Sequence, residues 1–424
     1  MYLASTGAVT QGDATAETPE RSGARRGRVA GPVLALGAVS LVTDISSEMV
    51  TAVLPLYFVL QLGLSPLQFG FLDGLYNGVT ALVRLAGGYA ADRGGRHKLV
   101  AGGGYALSAL SRLGLLLAGG ATAGIGTALV ADRIGKGVRT APRDALISLS
   151  SPPDALGRAF GVHRAMDTTG ALLGPLAAFA LLWATADAYD AVFVVSFCFG
   201  LLGVVMLGAF VPGQTVRPAG VPAPKSASHP RTGALDLLRV RAFRRVLGAA
   251  ALLGAATIGD SFLYLLLQRR LDFAISWFPL LPLGSAAVYL LLAVPAGRLA
   301  DRTGRRVPFL AGHVALLGGY ILLLSPTEGR PLLIGVLLLL GIFYAATDGV
   351  LMALVAPVVA QERRASGMAV LQTGQALARL VGAAGFGAAW TLWGISTALT
   401  CAALALTVAL AGAAVLLPPS ERRP

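Results

Sequence analysis

Gly88-Tyr89-Ala90-Ala91-Asp92-Arg93-Gly94-Gly95-Arg96 and Gly297-Arg298-Leu299-Ala300-Asp301-Arg302-Thr303-Gly304-Arg305 follow one pattern, G-x-x-x-D-R-x-G-R. Each copy closes a long apolar run, and the two aspartates stand 209 positions apart. A loop repeated at equivalent places in two halves marks a duplicated architecture, a plan common among transporters. Gly88 and Gly297 would let helices approach closely. Asp92 and Asp301 fall at a helix C-terminus, where a lone negative charge is unfavourable. Each therefore wants a partner, either a nearby Arg or the N-terminus of another helix.

Outward from these loops the chain is strongly apolar. Of 424 residues, 55% are hydrophobic and 13% charged, about half the roughly 25% charge of a soluble domain. Mean hydropathy is +0.71. Such a chain cannot cover a water-facing surface with polar groups, so lipid must cover it. The same composition excludes intrinsic disorder. Length and only two cysteines, Cys198 and Cys401, exclude a small disulfide scaffold. Both cysteines sit in apolar runs and read as small buried hydrophobes.

A helix needs about 20 apolar residues to cross the hydrocarbon. Twelve stretches qualify: 33–60, 67–91, 98–118, 122–147, 158–183, 191–211, 246–268, 278–300, 307–325, 332–356, 366–391 and 396–417. Charges interrupt the fourth from Asp132 onward. The runs are too long for tilted barrel strands and do not alternate. The expected class is an all-α integral membrane protein, since helices satisfy their own backbone in lipid. Residues 1–30 read as a polar tail, without the short apolar core and small-residue cleavage site of a signal peptide. Residues 212–242 carry Pro212, Pro218, Pro222, Pro224 and Pro230 and read as a flexible linker. They separate 31–211 from 243–417, six spans each, with 418–424 as a C-terminal tail.

The formal charge of +13 would suggest nucleic acid in a soluble protein. Placement says otherwise. With the N-terminus inside, inner segments together with the span ends that adjoin them hold 24 Lys and Arg, outer loops three and the span interiors seven. That asymmetry places both termini in the cytoplasm. The outer pair Arg269-Arg270 runs against the rule.

Two copies of the Asp-Arg loop in two six-span halves resemble the major facilitator superfamily, over residues 31–417. The resemblance implies two pseudo-symmetric six-helix bundles. It implies a gating loop at Gly88, Asp92, Arg93, Gly95 and Arg96, repeated at Gly297, Asp301, Arg302, Gly304 and Arg305, in which Asp92 and Arg93 help latch the halves. Span five carries Gly161, Gly170, Gly174 and Pro175, spaced G-x8-G-x3-G-P. This is similar to the motif of the family's drug/proton antiporters, although Ala178 and Phe179 stand where two further glycines would be. Generic small-residue packing accounts for the same spacing. Span four holds Arg133-Ile-Gly-Lys136-Gly137, which looks like the family's R-x-x-x-G motif, whose Arg is linked to proton transfer in exporters. The longer string Asp132 to Asp144 resembles a poorly characterised prokaryotic branch and names no substrate.

An ionisable residue at bilayer depth costs a few kcal/mol and normally faces a cavity or a partner. Asp44 and Glu48, four apart, share a face of span one. Asp73, Asn77 and Arg84 share a face of span two. Asp132, Lys136, Arg139 and Arg143 form a stripe on span four, and His163 and Asp167 lie one turn apart on span five beside Arg164. The second half holds fewer: Asp260, His313, Asp348 and Arg379. One reading is an ion-pair network that fixes helix register. The other is that one or two acids carry protons, because burial favours a neutral carboxyl and a nearby Arg a charged one. Asp44 and Glu48, as a like-charge pair sharing a proton, come first, and Asp167 with His163 next. Arg84, Arg133, Lys136, Arg139, Asp260 and Asp348 complete the coupling or cavity set. A cavity-facing cationic stripe would suit an anionic substrate; pairing of Lys136 and Arg139 with Asp44 and Glu48 is the alternative.

The expectation is a secondary transporter working by alternating access: proton-coupled export of a small molecule, with proton-coupled uptake as the rival. No Gly-Lys-Ser/Thr phosphate loop occurs, and the histidines are scattered. An enzyme, a metal site and a cofactor are therefore not expected. The expected setting is a multi-pass functional monomer in a bacterial plasma membrane, with lipid, protons and a small molecule as partners and no nucleic acid.

Overall fold

The computed structural model describes residues 30–76, 79, 83, 97–119, 121–151, 156–212, 234–355, 358–359 and 364–417. The described residues are almost wholly helical. Helix α1 spans Gly31–Leu56. Pro32 sits in its first turn, where a missing N–H costs nothing. Pro55 removes a donor near its end, and the chain widens into a π-turn, Tyr57–Gln61, before Gly63 turns it with φ +59°. Helix α2 starts at residue 66 and is described to 76. Ser65 and Gln68 cap it reciprocally: the Ser65 N–H donates to Gln68 Oε1 at 2.9 Å, and the Gln68 N–H to Ser65 Oγ at 3.3 Å. Next come α3 (His97–Ala118), α4 (Thr122–Leu149), α5 (Leu156–Ala184) and α6 (Tyr189–Phe210).

The second half opens differently from the expected linker. A short 3₁₀ turn, Ala234–Arg239, buries Leu237 against the bundle before α7 begins at Arg241. The seventh span is not one helix. Helix α7 (Arg241–Ala256) stops, three residues run extended, and α8 (Asp260–Leu271) resumes. Thr257 Oγ donates back to the Leu253 carbonyl, and the Ile258 N–H donates to the Tyr320 hydroxyl at 2.7 Å. Asp260 then opens α8, where the helix dipole favours an acid. Gly259 lets Asp73 of α2 come close to the break, because a Cβ there would stand 2.7 Å from its carboxylate. The remaining helices are α9 (Leu280–Thr303), α10 (Arg306–Leu324), α11 (Gly329–Val355), α12 (Arg364–Trp393) and α13 (Ile395–Leu416).

With α7 and α8 counted as one span, the order of the described helices is consistent with twelve spans in two bundles of six. Nine helical segments among the described residues, the α7–α8 pair counting as one, are long and apolar enough to cross a bilayer. The packing repeats. In the first half α1 lies against α5 and α6, and α3 against α4 and α6; in the second α7 lies against α12 and α13, and α10 against α11 and α13. Large apolar side chains such as Leu117, Leu291, Val408 and Val415 project outward, as a lipid-facing surface requires. Cys198 and Cys401 lie on that exposed surface rather than in the core expected for them.

Gly88, Asp92, Arg93, Gly95 and Arg96 lie outside the described residues. In the second copy Gly304 ends α9 with φ +83°, a conformation that favours glycine. Among the described residues Gly297 does not mediate the close approach expected of it, since a Cβ there would touch none of them within 4 Å. Arg269 and Arg270 now have a physical role. Arg270 donates to the carbonyls of Leu323, Ser325 and Thr327 at 2.7–3.0 Å, capping the end of α10. The Arg269 guanidinium lies 5.2 Å from the centre of the Trp390 ring.

Candidate functional site: a cavity between the halves

Call the end where α1 and α7 begin the near end, and the end where α1 finishes the far end. At the far end the halves meet through backbone-close glycines. A Cβ on Gly70 or Gly387 would strike the carbonyls of Ala383 and Pro66, so α2 lies against α12. The Leu67 N–H donates to Thr391 Oγ at 3.2 Å across the same seam. Five rings seal the centre. Phe262 meets Phe69 edge-on at 4.7 Å and Phe386 at 4.9 Å, with Trp390 at 5.8 Å; Phe58 backs Phe69 at 6.3 Å.

Beneath this plug is a cavity of about 900 Å³, lined by both halves. Its charged lining is Glu48, Asp73, Arg133 and Lys136 from the first half and Asp260, Asp348 and Arg379 from the second. Phe58, Tyr76, Tyr264, Phe278, Tyr289 and Tyr344 supply aromatic surface. The break in the seventh span puts Thr257, Ile258 and Gly259 on the wall, so interrupted backbone lines a cavity rather than lipid. Asp73 accepts from Ser261 Oγ at 2.9 Å and Asp260 from the Tyr344 hydroxyl. Lys136 Nζ stands 3.5 Å from Glu48 Oε1. Arg133 stacks over the Tyr76 ring at 3.7 Å, and the Tyr76 hydroxyl meets Thr51 Oγ at 2.7 Å.

Behind the first-half wall runs a buried polar seam between α1, α3, α4 and α5. Asp132 receives Arg112 at 2.9 Å, together with Arg133 and the Ser108 hydroxyl. Arg139 reaches Asp44 at 3.3 Å and lies over Tyr105. Arg143 and Arg164 both reach Asp167 at 3.4 Å. His163 Nε2 and Ser40 Oγ are 2.9 Å apart. The carboxyls of Asp44 and Asp167 are within hydrogen-bonding reach of each other.

The expected residues therefore divide. Glu48, Arg133, Lys136, Asp260 and Asp348 line the cavity; Asp44, Arg139, His163 and Asp167 belong to the seam; Arg84 lies outside the described residues. Asp44 and Glu48 turn to different partners, each facing its own base on α4, Arg139 and Lys136 respectively. The carboxyl in contact with Asp44 is Asp167. Nor does the α4 stripe face the cavity as a unit, because only Lys136 of it does. Asp73 and Arg379, visible in the sequence as charges within apolar runs, stood outside the expected coupling set, and the ring plug was not expected at all.

Of the span-five glycines, Gly170 and Gly174 fit tightly. A Cβ at Gly170 would strike the Leu41 carbonyl, and one at Gly174 would lie 2.7 Å from the Glu48 Cβ. A Cβ at Gly161 would meet nothing within 4 Å among the described residues. In the second half Gly382 presses α12 onto the Ala255 carbonyl of α7 in the same manner. Gly170→Val should accordingly cost about 1–3 kcal/mol by overpacking, and Gly161→Val close to nothing, measured by thermal unfolding of the purified protein. Equal losses at the two positions would show that contact with α1 is not what the motif serves.

Two helical bundles around a shared central cavity are an architecture common among membrane transport proteins. The Major Facilitator Superfamily sequence profile matches residues 36–288 and 271–424, and the chain belongs to that superfamily. An uncharacterized MFS-type transporter of Methanocaldococcus jannaschii is 27% identical over 379 residues, covering 87% of this chain and 90% of that one. An uncharacterized protein of Mycobacterium tuberculosis is 28% identical over 367 residues, 83% and 85% of the two chains. Among solved structures, a bacterial homologue of the human lysosomal transporter Spinster, inward-facing and occupied, superposes with a TM-score of 0.73 at 18% identity, covering 91% and 96%. The nucleoside transporter NupG does so with 0.73 at 15% identity, covering 91% and 98%.

Proposed function

We propose that the protein is a secondary active transporter that exports a small molecule from a bacterial cell in exchange for protons, by alternating access. The observation that carries the reading is the cavity of about 900 Å³ shared by both halves and sealed at the far end by rings from each. A volume in this range suits a drug-sized solute. Rocking of the halves would break the plug and expose the same site to the other side. The excess of Lys and Arg at the near end favours a cytoplasmic near end, so this arrangement would face inward.

Proton coupling draws support from the Asp44–Asp167 contact. Two carboxyls at such close range can share one proton, as in other carboxyl dyads. Arg139 and Arg143 flank them and favour the charged form when that proton leaves. Export over uptake draws on the span-five pattern. The test is transport in right-side-out vesicles acidified outside. A preloaded solute should leave as protons enter; accumulation of external solute under the same gradient would replace export with uptake.

A further inference from the structure

We propose that the cargo of this cavity is an organic cation, an amine or onium group on an apolar or aromatic body. This rests on the transport reading above and adds the charge of the solute.

The argument is a pairing of charges around one cavity. On the first-half wall the bases are already engaged. Arg133 belongs to Asp132 and the Tyr76 face, and Lys136 to Glu48 at 3.5 Å. On the second-half wall stand two carboxylates, Asp260 and Asp348, and one guanidinium, Arg379. Asp260 is met by a neutral donor, the Tyr344 hydroxyl. Asp348 is exposed to the cavity and makes no hydrogen bond or ion pair among the described residues. Arg379 lies within electrostatic reach of both acids, in contact with neither, and its Nε has no hydrogen-bond partner among the described residues. One base against two acids leaves this wall with a negative charge in excess. Asp73 faces it from α2, joined through Ser261.

A charge at bilayer depth is retained where it lines a pathway or meets a partner. Asp348 has the pathway and lacks the partner, so the partner it suits is a visiting cation. The rest of the lining fits the body of such a solute. Tyr264, Phe278, Tyr289 and Tyr344 stand on the same half as the acids, and ring faces attract onium and ammonium groups. An anion would have to take Lys136 from Glu48, or share Arg379 with two carboxylates. Of the cationic residues on the α4 stripe, Arg139 and Arg143 are turned inward to Asp44 and Asp167, and Lys136, which lines the cavity, is held by Glu48.

Three probes of similar size and different charge test the assignment: tetraphenylphosphonium, tetraphenylborate and neutral triphenylphosphine oxide. Binding to the purified full-length protein in detergent is measured by equilibrium dialysis, and movement is followed in proteoliposomes. The expected result is cation affinity at least tenfold above the other two. Asp348→Asn should lower that affinity about tenfold with an unchanged size-exclusion profile, and Asp348→Glu should restore it. Preference for the anion or the neutral probe, or binding of none, overturns the cationic assignment. An Asp348→Asn variant that binds the cation like the wild type overturns it as well. Cation binding without movement in proteoliposomes sustains the charge assignment and overturns the transport reading.

Discussion

Asp132→Ala should lower the stability of the protein by about 3–5 kcal/mol, the usual cost of removing one partner from a buried ion pair. Asp132 is 8% exposed, and Arg112, which it receives at 2.9 Å, is 3% exposed. Arg133 donates to its other oxygen, with Nε at 3.0 Å. Without the carboxylate two guanidinium groups remain buried on α3 and α4 with nothing between them to offset their charge. Arg112 also donates to Ser108 Oγ at 2.8 Å and Ser47 Oγ at 2.9 Å, so the loss would spread to the α1 contact. Asp132→Asn keeps the shape but not the charge and should fall in between. Arg112→Met in the Asp132→Ala background should recover part of the loss, because it removes one of the two uncompensated charges. The thermal unfolding midpoint of each purified variant in detergent reads this order. An Asp132→Ala protein as stable as the wild type would show that the cluster does not hold α3 to α4.

The duplication was legible because it rests on local spacing. The Asp-Arg loops and the lengths of the apolar runs needed no knowledge of what touches what. The break at Thr257-Ile258-Gly259 was hidden because all three residues fit an apolar run, and hydropathy passes smoothly through them. A signal did exist. A β-branched pair followed by glycine and an acid is a helix stop followed by a helix start. The α4 stripe shows a different limit. Spacing placed Asp132, Lys136, Arg139 and Arg143 on one face, but that face meets α1, α3, α5 and the cavity in turn along its length. Periodicity tells which residues share a face of a helix and not what the face meets. The acids of the second-half wall come from α8 and α11 and their base from α12, and only the fold brings them together.

The charges are also divided unequally between the halves. The seam that binds α1, α3, α4 and α5 is crowded with ion pairs, whereas the second half is held mostly by apolar packing. One consistent division of labour follows. The first half would carry the proton chemistry away from the cavity, and the second would present the uncompensated charge to the solute. The two would communicate through the surfaces where the halves meet, which at the far end are the ring plug and the α2–α12 seam.

That plug sets the second large effect. Phe262→Ala should shift the protein toward an arrangement open at the far end. Phe262 is fully buried and touches Phe69 of α2 as well as Phe386 and Trp390 of α12. Emptying a buried phenylalanine site costs about 3–5 kcal/mol. Here the cost falls chiefly on the closed state, because opening parts Phe69 from Phe262 in any case. A bias of about 3 kcal/mol changes the ratio of the two states by roughly 100-fold. The reporter is a single cysteine at Ala286, on the cavity wall, in a background where the exposed Cys198 and Cys401 are replaced by alanine. A membrane-impermeant maleimide applied at the far end should label it at least tenfold faster when Phe262 is alanine. The opposite experiment, reagent applied at the near end, should show slower labelling in the same variant, since both measurements follow one equilibrium. A lower unfolding temperature with both labelling rates unchanged would reduce the five rings to packing and remove them as the gate.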